Sequence, residues 1–176
     1  MKTMPSKTNH ALYQAIVTDA AVVTALGASL ENLWARLLCG ETAIHPISRF
    51  PVDRKHYRSK IAAVINDLNP RPGRSLMTDL LDRLVDQVDF VPRDAVLITA
   101  TIKSGIDNLE SECRGTPTGM QDILLTSLAD HLGARLGLKK NGTCISASCA
   151  SSTIAVARGA ALIASGQADA VLICCA

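Results

Sequence analysis

The sequence predicts an α/β protein with a mostly parallel sheet covered by helices, on three observations. Residues 94–100 and 170–175 form short, nearly continuous apolar runs, as expected of strands buried on both faces. Between the strand candidates lie stretches of helical periodicity, so the connections are right-handed crossovers between parallel strands. Of the 176 residues, 48% are hydrophobic but only 3% aromatic, giving a core of Ala, Leu, Val and Ile suited to close helix-on-sheet packing.

In chain order, Gln14 to Leu26 alternates apolar runs around Thr18-Asp19-Ala20 and is expected to form a strand followed by a short extended piece. Ser29 caps a helix whose Leu30, Leu33, Trp34, Leu37 and Leu38 share one face, and Gly40 ends it. Ile44 to Pro72 holds four of the seven prolines around one strand candidate, Lys60 to Ile65, and is connecting structure rather than a domain boundary. Ser75 opens a helix with Met77, Leu80, Leu81, Leu84, Val85 and Val88 on one side and Asp79, Asp82, Arg83 and Asp86 on the other. The strand Asp94 to Ala100 follows. Thr101 to Thr118 is polar and carries Gly105, Gly115 and Pro117, which predicts an exposed loop over a site or at a subunit contact. Helix Gln121 to Leu136 turns inward Leu124, Leu125, Leu128, Leu132 and Leu136, and Lys139-Lys140-Asn141-Gly142 then leads into a strand at Thr143 to Ala147. A small-residue helix, Thr153 to Ala164, ends at Gly166.

Composition excludes several classes. Eighteen basic and sixteen acidic residues leave a formal charge of +2, too balanced for a field directed at nucleic acid or a membrane surface. No run approaches the roughly 18 apolar residues of a membrane span, and no apolar run follows the basic Met1 to Lys7, so a cytoplasmic location is expected. The six cysteines, at 39, 113, 144, 149, 174 and 175, form no C-x-x-C pair and no metal-ligand spacing with histidine. Neither a disulfide framework, a metal nor a cofactor is expected.

The stretch that concentrates chemistry is Ser146-Ala147-Ser148-Cys149-Ala150-Ser151-Ser152. It places Cys149 where a buried strand turns into a helix, and a thiol at a helix N-terminus is biased toward thiolate, the nucleophilic form. By position alone a buried core cysteine is the commoner outcome. The small residues around it favour the nucleophile, because they leave volume that a packed interior normally fills.

Here the sequence resembles the β-ketoacyl-acyl carrier protein synthases, condensing enzymes of the thiolase-like fold. Ser148-Cys149-Ala150-Ser151, the small-residue helix, and Gly166-Gln167-Ala168-Asp169 before Ala170-Val171-Leu172-Ile173 are similar in order and spacing to that family's active-site block. A second similar block comprises Ala15-Ile16-Val17-Thr18, then Val22 to Gly27, then Leu33 to Ile44. The chain departs from the pattern at Asp19-Ala20-Ala21 and Cys174-Cys175, where glycines are usual, and at Ser148, where alanine is common. The bulkier Cys174-Cys175 pair is a candidate determinant of acyl preference.

The resemblance implies that residues 1–176 are the N-terminal half of a duplicated thiolase-like fold. Cys149 would be the nucleophile, with its backbone N–H as one oxyanion-hole donor. The family's two active-site histidines and a supporting lysine would lie beyond Ala176; His10, His45, His56 and His131 lack the family's sequence context and receive no role. The implied partners are an acyl carrier protein bearing phosphopantetheine-linked acyl and malonyl groups, and a companion polypeptide carrying the C-terminal half, as in a nicked or two-piece enzyme. A homodimer, or a heterodimer with a chain-length-factor-like subunit, is also implied, with Thr143 to Ala147 at the interface. Two basic clusters, Arg49, Arg54, Lys55, Arg58 and Lys60, and Arg71 to Arg74, would then either meet the carrier or form solvated loop surface. An α/β-hydrolase elbow is disfavoured, because Ala147 and Ser151 flank Cys149 where it needs glycines. A non-catalytic binding or dimerisation subunit remains the alternative, distinguished by thiol reactivity.

Overall fold

In chain order the elements are α1 (Leu30–Leu38), β1 (Ile44–Pro46), β2 (Ile61–Ala63), α2 (Leu76–Val85), β3 (Val96–Ala100), α3 (Ile106–Cys113), α4 (Ser127–Leu136), β4 (Thr143–Ile145), α5 (Ser151–Ala164) and β5 (Val171–Cys175). The structure is a computed structural model and describes residues 14–53, 55–117 and 122–176. Met1 to Lys7, His10, Arg54, Thr118 and Gln121, all named above, lie outside the described residues. Two compact units form, one from residues 14–17, 91–103 and 125–176, the other from residues 18–53, 55–90, 104–117 and 122–124.

The first unit contains the parallel sheet, in the order β4-β3-β5. Ile98 lies between Thr143 and Ile173 in register, Thr99 between Cys144 and Cys174, and Ala100 between Ile145 and Cys175. Because side chains alternate along a strand, Ile98 and Ala100 face α5, where they form a core with Ala155, Leu162 and Ala168, flanked by Val96, Ile145, Val171 and Ile173. Leu97 points the other way, beside Ala129 of α4 and Gly142. Burying each such Leu or Ile contributes roughly 1.5–3 kcal/mol. Helix α5 lies so close to β5 that a Cβ on Gly159 would come within 2.8 Å of Ile173 Cδ1. Glycine mid-helix costs about 1 kcal/mol of propensity, and this close approach is the reason it fits here.

The second unit holds α1, α2, α3 and an antiparallel pair in which Ile44 lies opposite Ala63 and Pro46 opposite Ile61. The Ser29 and Ser75 side chains accept N–H bonds from Asn32 and Thr78, as their capping positions predict. Helix α2 is anchored further by two carboxylates distant in sequence. Asp122 accepts from the Ser75 N–H (3.0 Å) and the Thr78 hydroxyl (3.0 Å), and Asp107 accepts from the Leu76 N–H (2.8 Å). Negative charge is favoured at a helix N-terminus, where unpaired amides converge.

Several expectations are corrected. No strand forms over residues 14–26, and Ile16 and Val17 are exposed; a strand exists only when a neighbour accepts its backbone hydrogen bonds. The apolar face of α1 is likewise uncovered, with Trp34 64% exposed and no residue of the helix buried. Residues 101–118, expected as loop, contain α3, whose Asp107 docks on α2. Helix α4 starts at Ser127 rather than near residue 121, and β1 is a strand the proline content concealed. Asp79, placed by periodicity on the polar face of α2, is buried.

Asp79 is buried between two arginines: Arg71 Nε donates to it at 3.1 Å, Arg74 Nε also donates, and Arg74 reaches on to Asp82. Burial opposes ionisation of Asp79, but the bonds from Arg71 and Arg74 outweigh it and hold the carboxyl below its ordinary value of 3.8. A carboxyl depressed on folding contributes stability that is fully present above its unfolded value and lost as pH falls through the lower folded value. Asp79→Asn is therefore expected to lower the denaturation midpoint at neutral pH and to flatten its decline below about pH 4. Urea titrations between about pH 3 and pH 7 check both; an acid limb as steep in the variant as in the parent would contradict the assignment.

Candidate active site

Strand β4 ends at Ile145 and α5 begins at Ser151, so five residues reverse the chain at the carboxyl end of the sheet. Ligands of open parallel sheets bind outside that end. The reversal depends on Ser148, whose φ of 51° is left-handed, a conformation that costs a non-glycine residue roughly 1–2 kcal/mol. Ser151, only 6% exposed, lies beneath it. Its hydroxyl accepts the Ala147 N–H at 2.8 Å and donates to the Ser148 carbonyl at 2.7 Å. The backbone closes the turn with Ala150 N–H to Ala147 O (3.1 Å) and Ser151 N–H to Ser148 O (3.2 Å).

Cys149 sits at the apex of this turn with its thiol exposed. It opens into a cavity of about 280 Å³ that is also lined by Ala100, Thr101, Ser152 and Cys175. The N-cap residue of α5 is Ala150, which has no side-chain acceptor for the first-turn amides, in contrast to Ser29 and Ser75 in α1 and α2. A nucleophile beside helix-start N–H groups is an arrangement that can attack a carbonyl and stabilise the resulting oxyanion.

The other cysteines differ in setting. Cys174 is buried on the opposite face of β5, and burial together with the neighbouring Cys175 pushes its thiol up to about 12. Burial also raises Cys175. Cys39 and Cys113 are exposed in the other unit. Among the described histidines, His45 lies on β1, His56 contacts Asp53 at 2.5 Å and His131 lies on α4; none lines the cavity at Cys149. Among the described residues no group of three His, Cys, Asp or Glu could hold a metal ion, and no helix is long and apolar enough to cross a membrane.

A larger hollow of about 480 Å³ in the second unit contains Arg36 and Arg83 but no nucleophile. Both arginines are engaged, Arg36 with Glu41 and the Leu26 carbonyl, Arg83 with Asp67. The basic clusters are also partly consumed by structure. Arg71 and Arg74 pair with Asp79 and Asp82, and Arg49 donates to the Ile65 and Leu68 carbonyls. Sequence reasoning singled out Cys149 as a candidate through its small neighbours and helix start, and the structure places it at the turn between β4 and α5. That reasoning missed the hydroxyl bridge of Ser151, whose partners at 147 and 148 are defined only once the chain turns.

No family model matches the chain. Over 55 residues it is 34% identical to 3-oxoacyl-[acyl-carrier-protein] synthase 2 of Coxiella burnetii (strain RSA 493 / Nine Mile phase I), a segment that is 31% of this chain and 13% of that protein. Its fold matches a chain from the ketosynthase ApeO in complex with its chain length factor ApeC, from Xenorhabdus doucetiae. The TM-score is 0.70 at 18% identity, covering 96% of this chain and 47% of the other. A β-ketoacyl synthase from Burkholderia phymatum STM815 matches with a TM-score of 0.57 at 19% identity, covering 89% of this chain and 45% of that one. In fold, this chain is similar to those solved synthases, and it spans about half of their length.

Proposed function

We propose that this chain is the nucleophile-bearing part of a β-ketoacyl synthase and accepts an acyl group as a thioester on Cys149. The observation that carries the reading is Cys149 at the apex of the β4–α5 turn, exposed to a cavity at the carboxyl end of a parallel sheet. In the first step the Cys149 thiolate attacks the carbonyl of an acyl group on a carrier phosphopantetheine. The tetrahedral oxyanion leans on helix-start amides, with the Cys149 N–H as one donor, and collapses by expelling the carrier thiolate, which takes up a proton. In the second step a malonyl unit on the carrier loses CO2. The resulting carbanion attacks the acyl carbon on Cys149 and expels the cysteine thiolate.

The second step needs groups that assist decarboxylation, and the described histidines do not line the cavity. We assign those groups to a companion polypeptide or chain segment carrying the other half of the fold. The chain's coverage of 47% and 45% of the solved synthases supports this. So does α5, which is apolar nearly all round yet exposes Ile154 and Val156, since such helices belong in an interior. A dimer formed along β4, one of the two outer strands of the sheet, with a second copy or a chain-length-factor-like subunit, fits the same architecture.

The test is incubation of the native chain with an acyl thioester of pantetheine, followed by peptide mapping by mass spectrometry. Acylation of Cys149 is expected to exceed that of the exposed Cys39 by at least about tenfold, because only Cys149 joins a thiol to a cavity and helix-start amides. Equal labelling of the two would overturn the reading and leave a non-catalytic subunit.

A further inference from the structure

Ser151 follows Cys149 by two residues and is among the residues around the cavity, and the mechanism above gives it no contact with a reacting atom. It is nevertheless the residue on which the turn converges. Its hydroxyl is buried, accepts from the Ala147 N–H before the apex and donates to the Ser148 carbonyl at the left-handed residue, so it both accepts from and donates to two consecutive residues of the turn. The backbone of Ser148 has a φ of 51° without being glycine, and such a conformation persists only where its surroundings over-determine it.

We infer that Ser151 is a positioning residue: its hydroxyl bridge holds Ser148 left-handed and thereby presents the Cys149 thiol and amide together to the cavity. The inference deepens the proposed acyl transfer and rests on it for its purpose. Its geometry, however, is read from the turn alone. Alanine at 151 would leave the Ala147 N–H without this partner and the Ser148 carbonyl with only the Ser151 backbone N–H, loosening the hold on Ser148 so that it relaxes toward negative φ and swings Cys149 away from the start of α5. Threonine keeps the hydroxyl. Glycine at 148 adopts the left-handed conformation without a Cβ penalty and removes the need for the bridge.

The experiment measures alkylation of Cys149 by iodoacetamide across pH in the native chain, normalised to Cys39 in the same digest and accompanied by thermal melting. Ser151→Ala is expected to slow Cys149 on the order of tenfold or more, as small misplacements of reacting groups do, and to change its pH profile. Ser151→Thr is expected to retain the parent rate, and Ser148→Gly combined with Ser151→Ala to recover it. A Ser151→Ala chain that melts lower but alkylates at Cys149 with the parent rate and pH profile would overturn the inference, since a merely structural hydroxyl predicts that result. If Ser151→Ala does not fold, the double variant is compared with Ser148→Gly alone: equal Cys149 rates support the bridge as the device that holds the turn, and a slower double variant overturns it. Thioester acylation separates the two readings. A parent chain alkylated but never acylated at Cys149 defeats the synthase proposal only, and an unaffected Ser151→Ala defeats only the positioning role.

Discussion

Replacing Cys149 with alanine is expected to abolish acyl-thioester formation, with a loss of at least roughly 1,000-fold, because deleting a covalent nucleophile removes the reaction path itself. None of the other described thiols is placed to substitute. Cys174 is buried with its thiol pushed up to about 12, so almost none is thiolate at neutral pH. Cys175 lines the same cavity, but burial raises it and it lies at the end of β5 rather than at a helix start. Cys39, Cys113 and Cys144 do not line that cavity. Intact-mass measurement after thioester treatment checks the outcome, and melting of the variant should match the parent, since the exposed side chain contributes little packing. Undiminished acylation in Cys149→Ala would mean that the chemistry resides on another residue.

The second large effect concerns stability. A Cβ at Gly105 would lie 2.5 Å from the Asp122 carbonyl oxygen and 2.9 Å from its carbon. These are backbone atoms, so relief requires moving the chain rather than turning a side chain. That segment cannot move freely. The same Asp122 carbonyl accepts from the Gly105 N–H at 3.0 Å and the Ser104 hydroxyl at 2.9 Å, while the Asp122 carboxylate caps α2 through Ser75 and Thr78. Gly105→Ala should therefore destabilise the fold by about 3 kcal/mol, lowering the melting temperature by roughly 6–12 °C for a chain of this size. Circular dichroism melts measure it. A variant as stable as the parent would show that Gly105 and Asp122 meet differently from the arrangement described.

The two variants probe parts of the chain that differ in how much their sequence reveals. Helices α1 and α2 were legible to within a few residues because Ser29 and Ser75 cap them and their apolar residues recur at helical spacing, both local properties. Strands β3 and β5 were legible as apolar runs, and the helices between strands implied their parallel pairing. The position of Cys149 between a strand and a helix followed from the same local signals. Helix α3 was not legible, because glycines and polar residues around it read as loop while its hold on the fold comes from Asp107 bonding 31 residues away. Asp79 shows the same limit: periodicity assigned it to water, and its burial is tolerated because Arg71 and Arg74, from the preceding turn, meet its charge.

By itself the sequence determined α1, α2, β3, β5 and the parallel α/β class, carried the resemblance to condensing enzymes and singled out Cys149 as a candidate, since all of these depend on residue spacing along the chain. Only the tertiary structure decided which polar groups meet. It placed Asp122 and Asp107 on the start of α2, ran the Ser151 hydroxyl between Ala147 and Ser148, and left the apolar residues of α1 and the Ile154 and Val156 side chains of α5 uncovered. Hydrogen bonds and burial are satisfied by whatever lies near in space, and that neighbourhood exists only after the chain has folded.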